Sequence, residues 1–295
     1  MKARHKAKLD TDALSAEDRT VTELCREYID EREGILSPVT IHNYRKWISR
    51  IPQDVARKKP SQISNWQSVI SRECVSTSVK SVRNIIKFIK AVYNKNGLPF
   101  PKVMFPKSKE KEQTYLTPEQ IPVFLDAIKD SPCELIYLLC LHGLRRSEAA
   151  GMTLDRINLR KRTITVDGEM TDVGGQSVRL EHNKTKASAR VVPIMIPRLV
   201  DVVKQTPEDY PFYNRMLAAK RSIDKLSEEC GLPHLSLHSL RRSFASLCYH
   251  LNIPERVTMK MGGWSDITTM HKFYIKISEQ DVTDYADRIS RFFSE

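Results

Sequence analysis

The stretch Leu139–Met152, LCLHGLRRSEAAGM, decides how the chain is read. An apolar run ends at Gly143, two arginines follow at once, and Glu148 stands three residues beyond Arg145. Glycine after an apolar helical run is a stop signal. The i,i+3 spacing lets Glu148 pair with Arg145. By itself this is a helix end with a surface ion pair. A guanidinium at the rim of the most hydrophobic helix becomes more than that only if other cations converge on it, so the rest of the chain must be searched for them.

The 295 residues suffice for two domains of ordinary size, and 40% hydrophobic with 28% charged residues describe a soluble globular protein. No apolar run approaches the ~18–20 residues that span a bilayer. The N-terminus MKARHKAKLD has no apolar stretch after its charges, so no signal peptide is expected. Cys25, Cys74, Cys133, Cys140, Cys230 and Cys248 are scattered, without a C-x-x-C pair. They read as reduced thiols of a cytoplasmic protein.

The net charge of +12 is unevenly placed. Residues 41–110 hold 15 Lys/Arg against 3 Asp/Glu, a surplus of +12, while residues 1–40 carry 7 against 9 and residues 111–295 carry 26 against 24. A basic excess confined to 70 residues points to a polyanionic partner, most simply nucleic acid.

Periodicity places that excess in helices. Residues 1–19 read as a polar lead-in. Thr20 caps a helix, with Glu23 completing a capping box. Ser37 and Pro38 open a second helix, with Ile41, Tyr44, Ile48 and Ile51 on one face. A shorter helix covers ISNWQSVISREC. In STSVKSVRNIIKFIKAVYNKNG, Val79, Val82, Ile86, Ile89 and Tyr93 mark an apolar face, and Lys80, Arg83, Lys87 and Lys90 recur on another. Such a stripe is suited to lie along a duplex and neutralise phosphates. The prolines and charges of GLPFPKVMFPKSKEKEQ read as a linker. A second domain opens with Thr117 as cap and Pro118 first in its helix. Strand-like runs follow in RINLRKRTITVDGEM and SVRLEHNKTKASARVVPI, predicting a small antiparallel sheet of about three strands. The chain is mainly helical from Leu199 onward. The expected organisation is a lead-in over 1–19, a helical core DNA-binding domain over 20–98, a linker over 99–114, a catalytic domain over 115–280 and a tail helix over 281–295.

Four polar clusters lie in the second domain. They are Gly143-Leu144-Arg145 with Glu148; NKTKASARVVP around Lys184; HSLRR, with His238 and Arg241 on one helical face; and GGWSDITTMHKFY, ending in Tyr274. No His, Cys or carboxylate set has metal-ligand spacing, and no G-x-x-x-x-G-K-[ST] element occurs. A metal-dependent nuclease and a P-loop ATPase are therefore not expected.

On these elements the chain resembles the tyrosine recombinases, or phage-type integrases. The family's G-x-R-x-x-E element appears as Gly143, Arg145 and Glu148. Its hairpin lysine stands in KTKASARVVP, its H-x-x-R as His238 and Arg241, its His-or-Trp position as Trp264, and its nucleophile as Tyr274. The resemblance covers most of residues 20–280. It implies a mainly α fold with a small antiparallel β-sheet, an all-helical core-binding domain and a mixed α/β catalytic domain, the two clamping DNA. It also implies site-specific strand exchange through a 3′-phosphotyrosine and a Holliday junction, by a homotetramer on double-stranded DNA with specific recombination sites. No cofactor or metal is implied. An excisionase or DNA-bending protein is a further implied partner, and integration or excision of a mobile element the implied setting. Type IB topoisomerases use similar residue types to relax DNA, and a DNA-binding protein without catalysis is the remaining alternative.

The chemistry agrees with the resemblance. Reversible phosphodiester cleavage without metal needs fixed cations on the non-bridging oxygens, a proton for the leaving 5′ oxygen and a nucleophile that stores the bond. Arg145 and Arg241 supply forked, permanently charged donors. Lys184 is the expected general acid, with Lys186 as the alternative. His238 binds phosphate or handles the nucleophile's proton, and Trp264 offers an N–H donor. Glu148 orients its segment, and Arg146 points elsewhere. Tyr285 is a distant second to Tyr274. The tail helix with Val282, Tyr285, Ile289 and Phe292 at helical spacing packs on its own domain or on a neighbouring protomer.

Overall fold

The computed structural model of the chain describes residues 15–107, 114–181, 189–268, 270 and 279–294. The chain divides into two compact units, residues 1–111 and 112–295.

The first unit is helical: α1 (Val21–Asp30), α2 (Pro38–Ile48), a single turn α3 (Gln53–Ala56), α4 (Trp66–Ser76) and α5 (Val79–Lys95). Local chemistry sets these boundaries. Thr20 and Glu23 form the expected capping box, the Thr20 N–H donating to the Glu23 carboxylate at 2.7 Å. Ser37 caps α2 ahead of Pro38, and Ser78 caps α5 by accepting from the Ser81 N–H. The apolar face of α5 buries Val82, Ile86, Ile89 and Tyr93 as the periodicity requires, and adds Ile85, Phe88 and Val92. Phe88 stacks on Tyr44 with ring centroids 4.4 Å apart, and its edge meets Tyr28. Lys80, Lys87 and Lys90 are exposed. Arg83 is half-buried, its guanidinium 5.0 Å from the ring of Phe105.

That last contact belongs to the segment expected to be a linker. Residues 99–107 have no regular secondary structure. Even so, Phe100, Val103 and Phe105 pack on the core of the first unit. The Gln67 side-chain amide holds the Met104 backbone at both its N–H and its C=O. Apolar side chains spaced along a proline-rich strip supply this anchor.

The second unit is built round α7 (Glu134–Leu141), which follows α6 (Gln120–Ala127); all eight residues of α7 are buried. The unit's first helix starts two residues later than expected, at Gln120, not Pro118, with the Gln120 side chain accepting from the Thr117 N–H. After α7 come the short helix α8 (Arg146–Ala150), strands β1 (Ile157–Asn158), β2 (Thr163–Val166), β3 (Gly168–Val173), β4 (Gln176–Glu181) and β5 (Arg190–Pro193), then helices α9 (Arg198–Gln205), α10 (Phe212–Glu229), α11 (Leu237–His250), α12 (Glu255–Gly262) and α13 (Glu279–Phe292). The expected three-stranded antiparallel sheet is present in the order β1-β2-β5, and β3 with β4 forms a separate hairpin. Val166 pairs with Arg190, so β5 begins at Arg190.

His142 ties α7 to the chain leaving β5. It is buried, and burial pushes its pKa down to about 4. The neutral ring donates from Nδ1 to the Leu138 carbonyl at 2.7 Å and accepts at Nε2 from the Met195 and Ile196 N–H groups. Among the described residues no helix is long and apolar enough to cross a membrane.

In the first unit, Trp66 is 3% exposed and touches both Tyr93 and Phe100. Trp66→Ala is expected to cost about 3–5 kcal/mol of unfolding free energy, read by urea denaturation, and to release residues 99–107 to limited proteolysis.

Candidate functional site: a buried arginine cluster on one carboxylate

The opening stretch folds as its residue types dictate. Gly143 ends α7 with φ +85°, and a Cβ there would lie 2.7 Å from the Phe244 ring. Glycine is needed both for the backbone angle and for the close approach. Arg145 is then the N-cap residue of α8, and Glu148 occupies the third position. The Glu148 carboxylate accepts from the Arg145 backbone N–H at 2.7 Å and from its guanidinium at 2.6 Å. Here a carboxylate at the start of a helix does the capping that a Ser or Thr side chain usually does.

Three further segments converge on this turn. Arg241 of α11 is 1% exposed, donates to the Gly143 carbonyl and lies 3.9 Å from Glu148. Its guanidinium sits 4.1 Å over the ring of Trp264, which in turn stacks on Phe244 at an interplanar angle of 11°. This is a cation–π contact in a desolvated setting. Gly263 ends α12 in the left-handed region at φ +69°, and its carbonyl accepts from Arg145 at 2.7 Å. Arg190, the first residue of β5, grips both oxygens of Glu148 at 3.1 and 2.9 Å and donates from Nε to the Met261 carbonyl at 2.8 Å.

Glu148 is fully buried. Burial alone would raise its pKa, but the hydrogen bonds and charge of Arg190, followed by Arg145, overcome that and hold the carboxyl at about 2. Three guanidinium groups thus surround one carboxylate. Arg145 keeps 36% of its side chain exposed, so the surplus of positive charge reaches the surface there. His238 lies one turn before Arg241 on α11, with an exposed face. Desolvation by the surrounding chain, followed by the charges of Arg242, Arg241, Arg145 and Arg146, pushes its pKa below the ordinary value. The imidazole is therefore neutral near pH 7 and able to accept a proton.

The structure brings together Arg145, Glu148, Arg241 and Trp264, and the pKa of His238, lowered first by desolvation, is lowered further by the nearby arginines. Arg146 is exposed, and its charge is among those acting on His238. Lys184, Lys186 and Tyr274 lie outside the described residues; Tyr285 falls within α13. Sequence reasoning passed over Arg190, although it lies in the quoted RVVP element. In a four-residue strand with only Val192 buried, nothing in the spacing sets one arginine apart. The Glu148 segment was expected only to be oriented by its acid, and the carboxylate proves to join four segments.

Because the folded pKa of Glu148 is depressed, its contribution to stability is full above the unfolded carboxylate range near 4.5 and is lost as pH falls through about 2. The difference in unfolding free energy between wild type and Glu148→Gln is expected to be roughly 3 kcal/mol at pH 6 and to shrink steadily in denaturation curves taken below pH ~4.5. A constant difference across that range would contradict the paired carboxylate.

Comparison with known proteins agrees with this geometry. Residues 114–281 match the phage integrase family. Among curated proteins, the chain is 23% identical over 285 residues to tyrosine recombinase XerC of Actinobacillus succinogenes, covering 87% of this chain and 92% of that one. It is 22% identical over 229 residues to tyrosine recombinase XerA of Pyrococcus furiosus, covering 72% and 74%. Among solved structures, the fold is similar to the Tn1549 transposon integrase in complex with transposon right end DNA, with TM-score 0.72, 18% identity and coverage of 92% of this chain and 100% of that one. It is also similar to a lambda integrase tetramer bound to a Holliday junction, with TM-score 0.62, 15% identity and coverage of 88% and 80%. With the family match spanning more than half of its length and agreeing with the order of its polar clusters, the chain belongs to the phage integrase family and is a tyrosine-type site-specific DNA recombinase.

Proposed function

We propose that this recombinase cuts and rejoins DNA with Arg145 and Arg241 as the phosphate clamp, Tyr274 as nucleophile, Lys184 as general acid and His238 and Trp264 as supporting ligands. The observation that carries the reading is the convergence of Arg145 and Arg241, 96 residues apart in the chain, on Glu148 and its turn. Isolated surface arginines have no reason to meet round one buried carboxylate.

The Tyr274 phenol attacks the scissile phosphorus while its proton passes to the neutral His238. The bond from phosphorus to the 5′ oxygen breaks, and Lys184 supplies the proton that the leaving oxygen needs. The two guanidiniums hold the non-bridging oxygens as negative charge builds. The 3′-phosphotyrosine conserves the bond, and a 5′ hydroxyl of the partner strand reverses the chemistry to close the exchanged strand. Two rounds pass through a Holliday junction. A homotetramer on two duplexes supplies four nucleophiles, and integration or excision of a mobile element is the use proposed for it. An excisionase or DNA-bending protein belongs to the same proposal. The exposed Lys80, Lys87 and Lys90 with Arg83 form the face of α5 that follows the DNA backbone.

A nicked suicide substrate tests the chemistry. Wild type is expected to become trapped on DNA, and peptide mapping to place the adduct at Tyr274. Tyr274→Phe should bind DNA with unchanged affinity and form no adduct. A substrate with sulfur in place of the bridging 5′ oxygen leaves without a proton and should restore cleavage by Lys184→Ala but not by Arg145→Ala. Restoration with Lys186→Ala would transfer the acid role to that residue, and an adduct at Tyr285 would move the nucleophile.

The stripe is tested by salt. Replacing Lys80 and Lys87 with alanine should lower the slope of log affinity against log salt by about 0.9 for each phosphate that is no longer neutralised. An unchanged slope in a fluorescence-anisotropy titration would remove these lysines from the interface.

A further inference from the structure

Arg190 has no part in the clamp described above, yet it is nearly as deeply buried as Arg241. Its side chain is 5% exposed. Its three guanidinium nitrogens are committed, Nη1 and Nη2 to Glu148 and Nε to the Met261 carbonyl. With all three nitrogens held by protein acceptors, Arg190 is poorly placed to bind a DNA phosphate itself. Its neighbourhood is also shaped round it. A Cβ on Gly263 would lie 2.7 Å from Arg190 Nη1 and 2.9 Å from its Cζ, so any other residue beside Trp264 would push this guanidinium from its place.

We propose that Arg190 is a positioning residue for strand cleavage: by taking both oxygens of Glu148, it keeps the charge of Arg145 and Arg241 available to the scissile phosphate. The inference rests on the reading of those two arginines as the clamp. Glu148 is 2.6 Å from Arg145 and 3.9 Å from Arg241. Without a third cation, its full negative charge in a buried setting would fall on those two groups. A phosphate would then have to compete with a fixed carboxylate for the same guanidiniums. With the Arg190 fork in place, the carboxylate is held in bidentate geometry, the stronger and more directional form of the pair. Arg145 and Arg241 are also anchored by the carbonyls of Gly263 and Gly143, which orient a guanidinium without cancelling its charge. Arg190 does a second thing by its place in the chain. It begins β5, and its grip on Glu148 ties the start of that strand to α8. One side chain therefore links β5 to the segment of the first clamp arginine.

A purely structural role and a positioning role make different demands on protein that is folded and bound. Single-turnover cleavage of the nicked suicide substrate is measured at saturating DNA, below the melting temperature of every variant, with DNA affinity measured alongside. Arg190→Met is expected to bind DNA within about twofold of wild type but cleave about 100-fold more slowly, comparable to removal of one preorganised donor. Adding Glu148→Gln to Arg190→Met removes the uncompensated anion and should recover at least about tenfold of that rate. Arg190→Lys keeps the charge but cannot fork, and should fall between wild type and Arg190→Met. If Arg190→Met does not fold, Arg190→Lys and the double variant carry the comparison. Each must then react more slowly than wild type at saturating DNA. Wild-type cleavage rates in folded, bound Arg190→Met or Arg190→Lys would overturn the proposal. So would a double variant no faster than Arg190→Met. If wild type itself forms no adduct, the clamp reading falls and takes this one with it; if wild type reacts and the double variant gains nothing, only the role given to Arg190 falls.

Discussion

The Glu148 carboxylate, buried between guanidinium groups, is the constraint on which the second unit's site depends. Taking a carboxylate out of water costs several kcal/mol even after relaxation, and that cost is met only if cations and donors approach from fixed directions. Here they come from three places in the chain: the Arg145 backbone and side chain at the start of α8, Arg190 at the start of β5 and Arg241 in α11, with the Gly263 carbonyl at the end of α12 accepting from Arg145 in turn. Moving any one of these elements by an ångström would leave a buried charge short of partners. The carboxylate therefore fixes where the site's elements meet, which a purely apolar contact, being non-directional, could not do.

The partners differ in what they do to the net charge. Arg190 neutralises Glu148. The carbonyls of Gly143, Gly263 and Met261 and the ring of Trp264 hold guanidiniums through partial charges and a quadrupole, so they orient cations without cancelling them. The result is a cluster whose cations are oriented in advance, as the proposed phosphate clamp requires. Such fixed dipoles and charges need little reorganisation when a phosphate's charge grows, which is the main source of electrostatic catalysis. Both glycines at the site follow from the same crowding. Gly143 lets Phe244 and Arg241 close on the turn, and Gly263 leaves room for Arg190.

How much of this was legible in the sequence depends on the period of each signal. Helical elements declare themselves through caps and a 3.6-residue period, so Thr20 with Glu23, Ser37 with Pro38 and the two faces of α5 were readable in advance. The Arg145–Glu148 pair was readable because i,i+3 contacts are local. Arg190 was not, because its partners are 42 and 71 residues away and no local period links them. The later start of α6 at Gln120 shows a limit even for caps: the Gln120 side chain bonds to the Thr117 N–H, but the residues between them form a turn ahead of the helix. The packing of Phe100, Val103 and Phe105 on the first unit escaped for a related reason, since proline and charge marked the segment as linker while its spaced aromatic residues carried the anchor.

Charge is used in two physically distinct ways in this chain. The surplus of residues 41–110 is spread over exposed side chains such as Lys80, Lys87 and Lys90. Exposed charges interact over no more than roughly a Debye length, ~8 Å at physiological salt, so their hold on a polyanion weakens as salt rises. The cluster on Glu148 is the opposite case: few charges, largely out of water, at distances of 2.6–3.9 Å, where added salt screens very little. On the proposed reading, attraction to DNA and the chemistry performed on it therefore respond to different variables. The first follows ionic strength, and the second follows geometry, through every contact that keeps Arg145 and Arg241 in register round one carboxylate.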